Sequence, residues 1–203
     1  MLDEAGWTEC RIMASNSLDE YLIRDLFLQG ACLDGFGVGE RLITSQSTPV
    51  FGGVYKLVAV EDRDGKVIPK IKISENAAKI TTPSFKKVYR LYDNRDGKAF
   101  ADLITLHDET VDNTKPLELF DPIDTWKRKT CENVTAKELL VPIFRGGKLV
   151  YDLPSIQDIR SHCAHELSLQ WEEVKRFENP HNYYVDLSQK LWDLKQTLLQ
   201  ERR

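Results

Sequence analysis

Small polar residues and glycines follow two short apolar segments near the beginning of the chain. Residues 10–15 end in Ser15 and precede Asn16 and Ser17, and a second segment leads into Gly37-Val38-Gly39. Where a glycine lacks its Cβ atom, backbone N–H groups can approach a ligand closely. At the carboxyl ends of parallel strands, such residues would form a cradle for an anion such as a phosphate. A tight turn beside a helix cap explains these polar residues and glycines equally well. Gly-x-Gly without a third glycine is not a dinucleotide-binding motif.

Other catalytic and metal-binding patterns are absent from the sequence. It contains no Gly-x-Ser-x-Gly elbow, no P-loop and no His-Glu-x-x-His motif. The four cysteines, at positions 10, 32, 131 and 163, include no Cys-x-x-Cys pair, so we expect buried, reduced thiols. His162 and His165 could ligate a metal from one helix, but further ligands at a suitable spacing are missing. The apolar stripe of that helix places Cys163 in the core. We therefore predict no metal site.

Residues 10–40 are typical of a strand–helix–strand unit. A short apolar strand at residues 10–15 is followed by Ser17 and Glu20, which have the spacing of a capping box. Gly30 is placed to end the helix in a left-handed conformation. About thirty residues is the size of a βαβ crossover, so the two strands should be parallel.

The remainder of the chain has a different pattern. Residues 53–151 predict antiparallel hairpins around Asp64-Gly65, Asp96-Gly97 and Gly146-Gly147, with an irregular stretch near Pro116 and Pro122. The last fifty residues predict two helices. The first begins after Ser155 and ends before Asn179-Pro180, and the second buries a leucine stripe. The members of that stripe are Leu187, Leu191, Leu194 and Leu198.

Composition and charge exclude several classes of protein. The 203 residues include 28 Lys+Arg against 32 Asp+Glu, a net charge of −4 that is unlike a generally basic nucleic-acid binder. No apolar run approaches a membrane span and no signal peptide is visible, so we predict a cytoplasmic location with no nucleic-acid or membrane partner. Residues 61–100 carry ten bases and six acids. This basic island could bind an anion, although a solvated hairpin face is the favoured interpretation.

Several segments resemble the nicotinate phosphoribosyltransferases. Residues 14–20 are similar to that family's Ser-Asn-x-(Leu/Ile)-(Asp/Asn)-Glu segment, and residues 34–44 to its Phe-Gly-(Ile/Val)-Gly-Thr loop. Residues 49–58 are similar to its Pro-x-x-Gly-Gly-Val-Tyr-Lys-Leu-Val signature. Residues 71–76 and 87–92 continue the match. The matching segments are dense over residues 1–110, and the remainder resembles the C-terminal extension of bacterial members.

The resemblance implies a role in NAD salvage. The family joins nicotinate to 5-phosphoribosyl 1-pyrophosphate, which gives nicotinate mononucleotide and pyrophosphate, with coupled ATP hydrolysis and Mg²⁺. The implied fold class is α/β plus β, and the implied partners are nicotinate, phosphoribosyl pyrophosphate, ATP and a second subunit in a homodimer. We expect the last part of an irregular parallel α/β barrel at residues 1–52 and a β-rich return to the N-terminal-type domain at 53–110. A C-terminal extension with a hairpin and two helices should occupy 111–203.

Carried over by position, the resemblance places Ser15, Asn16 and the Gly37-Val38-Gly39 loop at the phosphoribosyl moiety. Glu40 stands where many relatives have a phosphate-contacting threonine. Because a carboxylate repels a phosphate, Glu40 should turn outward, or be offset by Arg41 or Mg²⁺, while backbone amides bind the ligand. Glu40 is therefore the doubtful member of this set.

Two expectations follow from the length. Members of the family are more than twice as long, and their nicotinate pocket and phosphorylatable histidine lie in the half before residue 1. No catalytic residue is assigned here, because none of the four histidines matches that context: His107, His162, His165 and His181. The chain alone should have no transferase activity. The alternative is a non-catalytic, truncated paralogue that binds a phosphorylated ligand or a partner.

Overall fold

The computed structural model describes residues 1–50 and 52–201. Phe51, which belongs to the matched segment 49–58, and the last two residues of the predicted extension lie outside the described residues. Contacts divide the chain into two units, Met1–Tyr55 and Lys56–Arg203. None of the helices in the described residues is long and apolar enough to cross a membrane.

The first unit contains the predicted strand–helix–strand arrangement. Its elements are a 3₁₀ turn (Asp3–Ala5), β1 (Met13–Ser15), α1 (Glu20–Leu28), β2 (Gly35–Gly37) and the short helix α2 (Glu40–Ile43). Strands β1 and β2 are parallel, as expected, and their register pairs Met13 with Gly35 and Ser15 with Gly37. Gly30 follows α1 with φ of 82°, which confirms the predicted left-handed end of the helix.

The predicted capping box at the start of α1 is wrong. Asp19, not Ser17, is the N-cap, and its carboxylate accepts a hydrogen bond of 2.8 Å from the backbone N–H of Leu22. Asp19 is extended, as N-cap residues are, whereas Ser17 has φ of 49° and belongs to the preceding turn. The helix therefore begins two residues later than the Ser17–Glu20 spacing predicts.

Over its described residues, 56–201, the second unit contains ten strands and two long helices. The strands are β3 (Ala59–Glu61), β4 (Val67–Pro69), β5 (Lys86–Asp93), β6 (Ala99–Leu106), β7 (Leu117–Phe120), β8 (Arg128–Cys131), β9 (Val134–Glu138), β10 (Phe144–Arg145), β11 (Lys148–Leu149) and β12 (Tyr184–Leu187). The helices are α3 (Ile156–Ser168) and α4 (Gln189–Gln200), and a 3₁₀ turn spans Ala77–Lys79. The three predicted hairpins are confirmed as the antiparallel pairs β3–β4, β5–β6 and β10–β11.

A four-stranded sheet with the order β12-β6-β5-β9 forms the centre of this unit. Its outer strands come from parts of the chain where the sequence predicted something else. Leu187 lies in β12, which pairs in parallel with β6, and it is therefore not part of the predicted α4 stripe. The stretch predicted to be irregular contains the β7–β8 hairpin. The sheet joins strands from residues 53–110 with strands from residues 111–203. The division of the chain at residues 52 and 110 stays a prediction.

The core lies on one face of this sheet. Alternate residues of β5 and β6 are buried there, with Leu91 fully buried and Ala101 and Leu103 almost so. Leu119 of β7 and Cys131 of β8 pack against them. Burying apolar side chains is the main source of stability in a domain of this kind, so this layer should determine how stable the unit is.

Helix α3 confirms one expectation and corrects two. Ser155 caps it through a capping box with Asp158, as predicted. The helix nevertheless ends at Ser168 rather than close to Asn179. Its last carbonyls bond to the start of β6, since the Ala99 N–H donates to the Leu169 carbonyl at 2.9 Å. Cys163 is exposed, so its predicted place in the core is wrong. The stripe defines an apolar face, but within the described residues nothing buries that face.

The basic island is largely engaged within the second unit. Lys86 Nζ donates hydrogen bonds to three backbone carbonyls of residues 82–84, and burial lowers the pKa of this amine. Lys87 forms an ion pair of 3.6 Å with Glu138. Arg90 binds Asp102 across the hairpin at 3.0 Å. These contacts favour a structural role for the island over an anion-binding patch.

Candidate functional site

The turns that follow β1 and β2 lie side by side because the two strands are parallel and in register. We call residues 15–17 and 37–40 the strand-end loops. Asn16 and Ser17 both have positive φ, 90° and 49°. Residues other than glycine rarely adopt this conformation, and two in succession are typical of turns at functional sites. The sequence did not predict this feature, although Asn is among the residues that tolerate it best.

Three backbone donors in these loops have no acceptor among the described residues: the N–H groups of Ser17, Gly39 and Glu40. The parallel pairing of Ser15 with Gly37 uses the N–H of Asn16 or of Val38. Unpaired N–H groups are costly unless water or a ligand satisfies them. Successive free donors in a turn are a known way to hold an anion.

These loops surround a small cavity of about 330 Å³, here called the strand-end cavity. Its lining residues are Asn16, Ser17, Leu18, Gly37, Gly39, Glu40 and Arg41. Four of the predicted site residues, Asn16, Gly37, Gly39 and Glu40, are thus brought together. Ser15 is exposed at the end of β1 without lining this cavity, and Val38 lines a neighbouring one of about 670 Å³.

Gly37 and Gly39 of the second loop differ in how much space a side chain would have at each position. A Cβ atom on Gly37 would lie 3.1 Å from the Ser15 Cβ, a tight contact that favours glycine where the two strands approach closely. A Cβ atom on Gly39 would meet nothing within 4 Å. Its φ of −113° and ψ of −111° lie outside the helical and extended regions. Packing within the chain therefore does not explain Gly39.

An ion pair fixes the wall of the cavity. The guanidinium of Arg41 pairs with the carboxylate of Asp19, the N-cap of α1. The hydrogen bond from the Leu22 N–H and the pairing with Arg41 lower the pKa of Asp19. Arg41 therefore has a carboxylate partner other than Glu40. The sequence suggests Arg41 only as a partner of Glu40, and no spacing in it indicates the bond between Arg41 and Asp19.

The cysteines and histidines do not form a second centre. Cys10, Cys32 and Cys163 are exposed free thiols, which contradicts the expectation that the thiols are buried. Cys131 is buried, and desolvation raises its pKa. In the part of the chain that the structure describes, no group of three or more His, Cys, Asp or Glu side chains could hold a metal ion.

Comparison with known proteins defines the family. Residues 85–195 match the family model described as "Nicotinate phosphoribosyltransferase C-terminal domain". That match covers more than half of the chain, and the chain belongs to the nicotinate phosphoribosyltransferase family.

Individual relatives agree with this assignment. The chain is 46% identical over 201 residues to the nicotinate phosphoribosyltransferase of Bacillus subtilis, which covers 99% of this chain and 41% of the relative. It is 34% identical over 190 residues to that of Dictyostelium discoideum, covering 90% of this chain and 31% of the relative. The crystal structure of human nicotinic acid phosphoribosyltransferase matches with a TM-score of 0.72 at 25% identity, covering 97% of this chain and 36% of that one. The chain thus spans less than half the length of these relatives.

Proposed function

We propose that this chain is part of a nicotinate phosphoribosyltransferase that acts in NAD salvage. The complete enzyme would convert nicotinate and 5-phosphoribosyl 1-pyrophosphate to nicotinate mononucleotide and pyrophosphate, with coupled ATP hydrolysis. Within it, this chain would supply part of the phosphoribosyl site from Ser15, Asn16, Gly37, Val38, Gly39 and Glu40. Membership of the family supports the reaction, and the strand-end loops support the site.

The unpaired N–H groups beside the strand-end cavity are the observation that carries the site proposal. A 5′-phosphate seated there would accept hydrogen bonds from the N–H of Ser17 on one side and from those of Gly39 and Glu40 on the other. Such donors are fixed by the backbone, so they orient the sugar without the rearrangement that long cationic side chains need. The net charge of −4 is compatible with this mode of binding, since it does not require an excess of Lys and Arg.

Glu40 is proposed to turn away from the phosphate. It lines the strand-end cavity, and a carboxylate in direct contact with a phosphate would oppose binding. Mg²⁺ is the exception, because one carboxylate together with substrate phosphates and water can complete its octahedral shell. ATP and Mg²⁺ are part of the proposal because the resemblance to the family implies them. Of the residues in the cavity, only Glu40 is a carboxylate that could contact such an ion.

The architecture of the complete enzyme is part of the same proposal. Strands β1 and β2 would be the last strands of an irregular parallel barrel, with residues 53–110 and 111–203 forming the β-rich part and the extension. Two strands cannot close a barrel. We propose that the whole enzyme is a cytoplasmic homodimer and that the chain alone is inactive. A turnover assay on residues 1–203 should give no nicotinate mononucleotide, and measurable product would refute this.

The alternative proposal is a non-catalytic module that binds a phosphorylated ligand or a partner. The chain covers less than half of each of these relatives, which is compatible with a module that lacks the rest of the enzyme. Both proposals need the strand-end cavity, so ligand binding does not separate them. Light scattering does: a well-behaved monomer favours an autonomous module, and self-association favours part of a larger enzyme.

Gly39 provides the sharpest test of the site. Replacing Gly39 with Ala adds a methyl group in open space beside the cavity, so it should obstruct the ligand. We expect at least a tenfold loss of affinity for ribose 5-phosphate by isothermal titration calorimetry. Gly53→Ala is the matched control, because its Cβ also meets nothing within 4 Å and it does not line the cavity. Melting curves verify that both variants fold, and unchanged affinity in Gly39→Ala would contradict the proposal.

A further inference from the structure

The second unit contains a larger cavity that the proposed function does not use. It has a volume of about 470 Å³ and lies between the β7–β8 hairpin, strands β6 and β12, and the turn around residues 171–174. This hairpin cavity is lined by aromatic side chains that include Phe120, Trp171 and Tyr184. Its volume and mainly apolar walls are those of a site for a small organic ligand.

One carboxylate in this cavity has no partner. Asp186 of β12 is only 6% exposed, and none of the residues that the structure describes donates a hydrogen bond to its side chain. Burial and the nearby Asp121 raise the pKa of Asp186 to about 6. Asp121 differs, because its carboxylate accepts hydrogen bonds from the N–H groups of Ile123 and Asp124. Buried polar groups are normally satisfied, so an orphaned carboxylate that faces a cavity needs an explanation.

The cavity also has a cation that forms no ion pair among the described residues. Lys127 pairs with Asp124 and Arg128 with Glu118. Lys129 Nζ instead lies 5.4 Å from the ring centroid of Phe100, and it forms no ion pair within the described part of the chain. The residues that line the cavity therefore include an acceptor at Asp186, several aromatic side chains and the cationic Lys129.

We propose that the hairpin cavity binds an amino-substituted nitrogen heterocycle that carries an anionic group, the chemistry of an aminopurine nucleotide. The exocyclic amino group would donate to Asp186, the ring would lie against the aromatic walls, and the anionic group would be near Lys129. An inorganic anion alone would leave Asp186 unpaired and be repelled by it. A purely apolar molecule would satisfy neither charge. All the residues that line the hairpin cavity belong to the second unit, and none of them lines the strand-end cavity.

Two nucleotides that differ in one group test the acceptor. Adenosine 5′-monophosphate has the exocyclic amino group, and purine riboside 5′-monophosphate lacks it. Titrations of the full 203-residue chain, followed by calorimetry, should show at least tenfold tighter binding of the first. Asp186→Asn should abolish that preference, whereas Asp152→Asn, at an exposed aspartate outside the cavity, should leave it unchanged.

Two further variants distinguish binding at the hairpin cavity from binding at the strand-end cavity. Lys129→Gln should weaken binding of adenosine 5′-monophosphate at least fivefold without changing that of adenosine. Gly39→Ala, at the strand-end cavity, should leave the preference for adenosine 5′-monophosphate over purine riboside 5′-monophosphate intact, because both nucleotides carry the same ribose 5-phosphate. This proposal can therefore fail while the proposed function stands. Melting curves verify the fold of each variant. Absence of nucleotide binding, equal binding of the two nucleotides, or a preference that is lost in Gly39→Ala but kept in Asp186→Asn would each overturn the proposal.

Discussion

The strand-end loops of the first unit and the four-stranded sheet of the second unit differ in how their polar groups are satisfied. In the sheet, Arg90 binds both Asp102 and Glu166, and the Tyr183 hydroxyl donates to Asp102 at 2.9 Å. In the loops, the backbone N–H groups of Ser17, Gly39 and Glu40 have no acceptor among the described residues. Satisfied polar groups hold a fold together, whereas unsatisfied ones need a ligand or water, so the loops retain donors that a ligand could use and the sheet network stabilises the fold.

The two units also differ in how many hydrophobic side chains they bury, and the second unit buries more. Of the described residues up to Tyr55, Leu18 is the one buried hydrophobic side chain, whereas ten are buried in the second unit. On α1, Phe27 is 53% exposed and Leu28 78%. The candidate phosphate site is therefore held by local backbone bonds and the Asp19–Arg41 pair rather than by a core. The comparison also makes Asp186 stand out, because it is an orphaned group in the well-packed unit.

The largest expected effect comes from the core of the second unit. Leu91 is fully buried, so Leu91→Ala should lower the free energy of unfolding by about 2–5 kcal/mol, measured by urea denaturation. The matched variant Leu28→Ala removes the same atoms from an exposed site in the first unit and should cost less than about 0.5 kcal/mol. Equal losses at the two positions would break the proposed contrast between the units.

The Arg90 network should give a smaller effect. Arg90→Met keeps much of the side-chain volume but leaves Asp102 and Glu166 without their cation. The pairs are partly exposed, so we expect a loss of about 1–2 kcal/mol rather than the larger cost of breaking a fully buried pair. Arg95→Met, at a side chain that is 79% exposed, is the control and should change nothing measurable. A neutral Arg90→Met would mean that the network does not support the sheet.

Replacing Asp186 should change the free energy of unfolding in the opposite direction and stabilise the fold. Its folded-state pKa of about 6 lies above the ordinary 3.8, so the charged carboxylate destabilises the fold at neutral pH. As the pH falls through 6 towards 4, the folded state takes up the proton first and stability from this group increases. Asp186→Asn should therefore raise the unfolding free energy by about 1 kcal/mol at pH 7.5, because solvent in the open cavity screens part of the charge.

The difference between the wild type and Asp186→Asn should shrink as the pH is lowered to 4.5. Taking the difference removes the contributions of other groups near the cavity, which include Asp121, Glu173 and His181. The exposed Asp152→Asn should show no such pH dependence. A constant difference across this range would contradict the account of Asp186 as a buried and unpaired carboxylate.

The sequence predicted those features that depend on local pattern. The parallel pair β1–β2, the three hairpins and the Ser155 cap are each encoded within about thirty neighbouring residues. It did not predict β8, because Arg128-Lys129-Thr130 has no alternation of apolar residues. It misplaced Leu187, whose strand β12 is defined by pairing with β6, about eighty residues away in the chain. Long-range pairing leaves little local signal.

The candidate site shows the same limit. Glycine content and strand order placed Asn16, Gly37 and Gly39 together, and four predicted residues line one cavity. The positive φ of Asn16 and Ser17 and the Asp19–Arg41 pair depend on three-dimensional contacts that spacing does not encode. Asp186 gave no sequence signal, since an aspartate in a strand becomes unusual only when its neighbours bury it.

The central claim is that backbone amides of the strand-end loops hold the phosphate of the phosphoribosyl group. The most direct measurement is a titration of the ¹⁵N-labelled chain with ribose 5-phosphate, followed by amide chemical shifts. We predict saturable shifts of the amide resonances of Asn16, Ser17, Val38, Gly39 and Glu40, with little change in residues 61–100. Shifts confined to the lysines and arginines of that basic island, with the loop amides unmoved, would contradict the account.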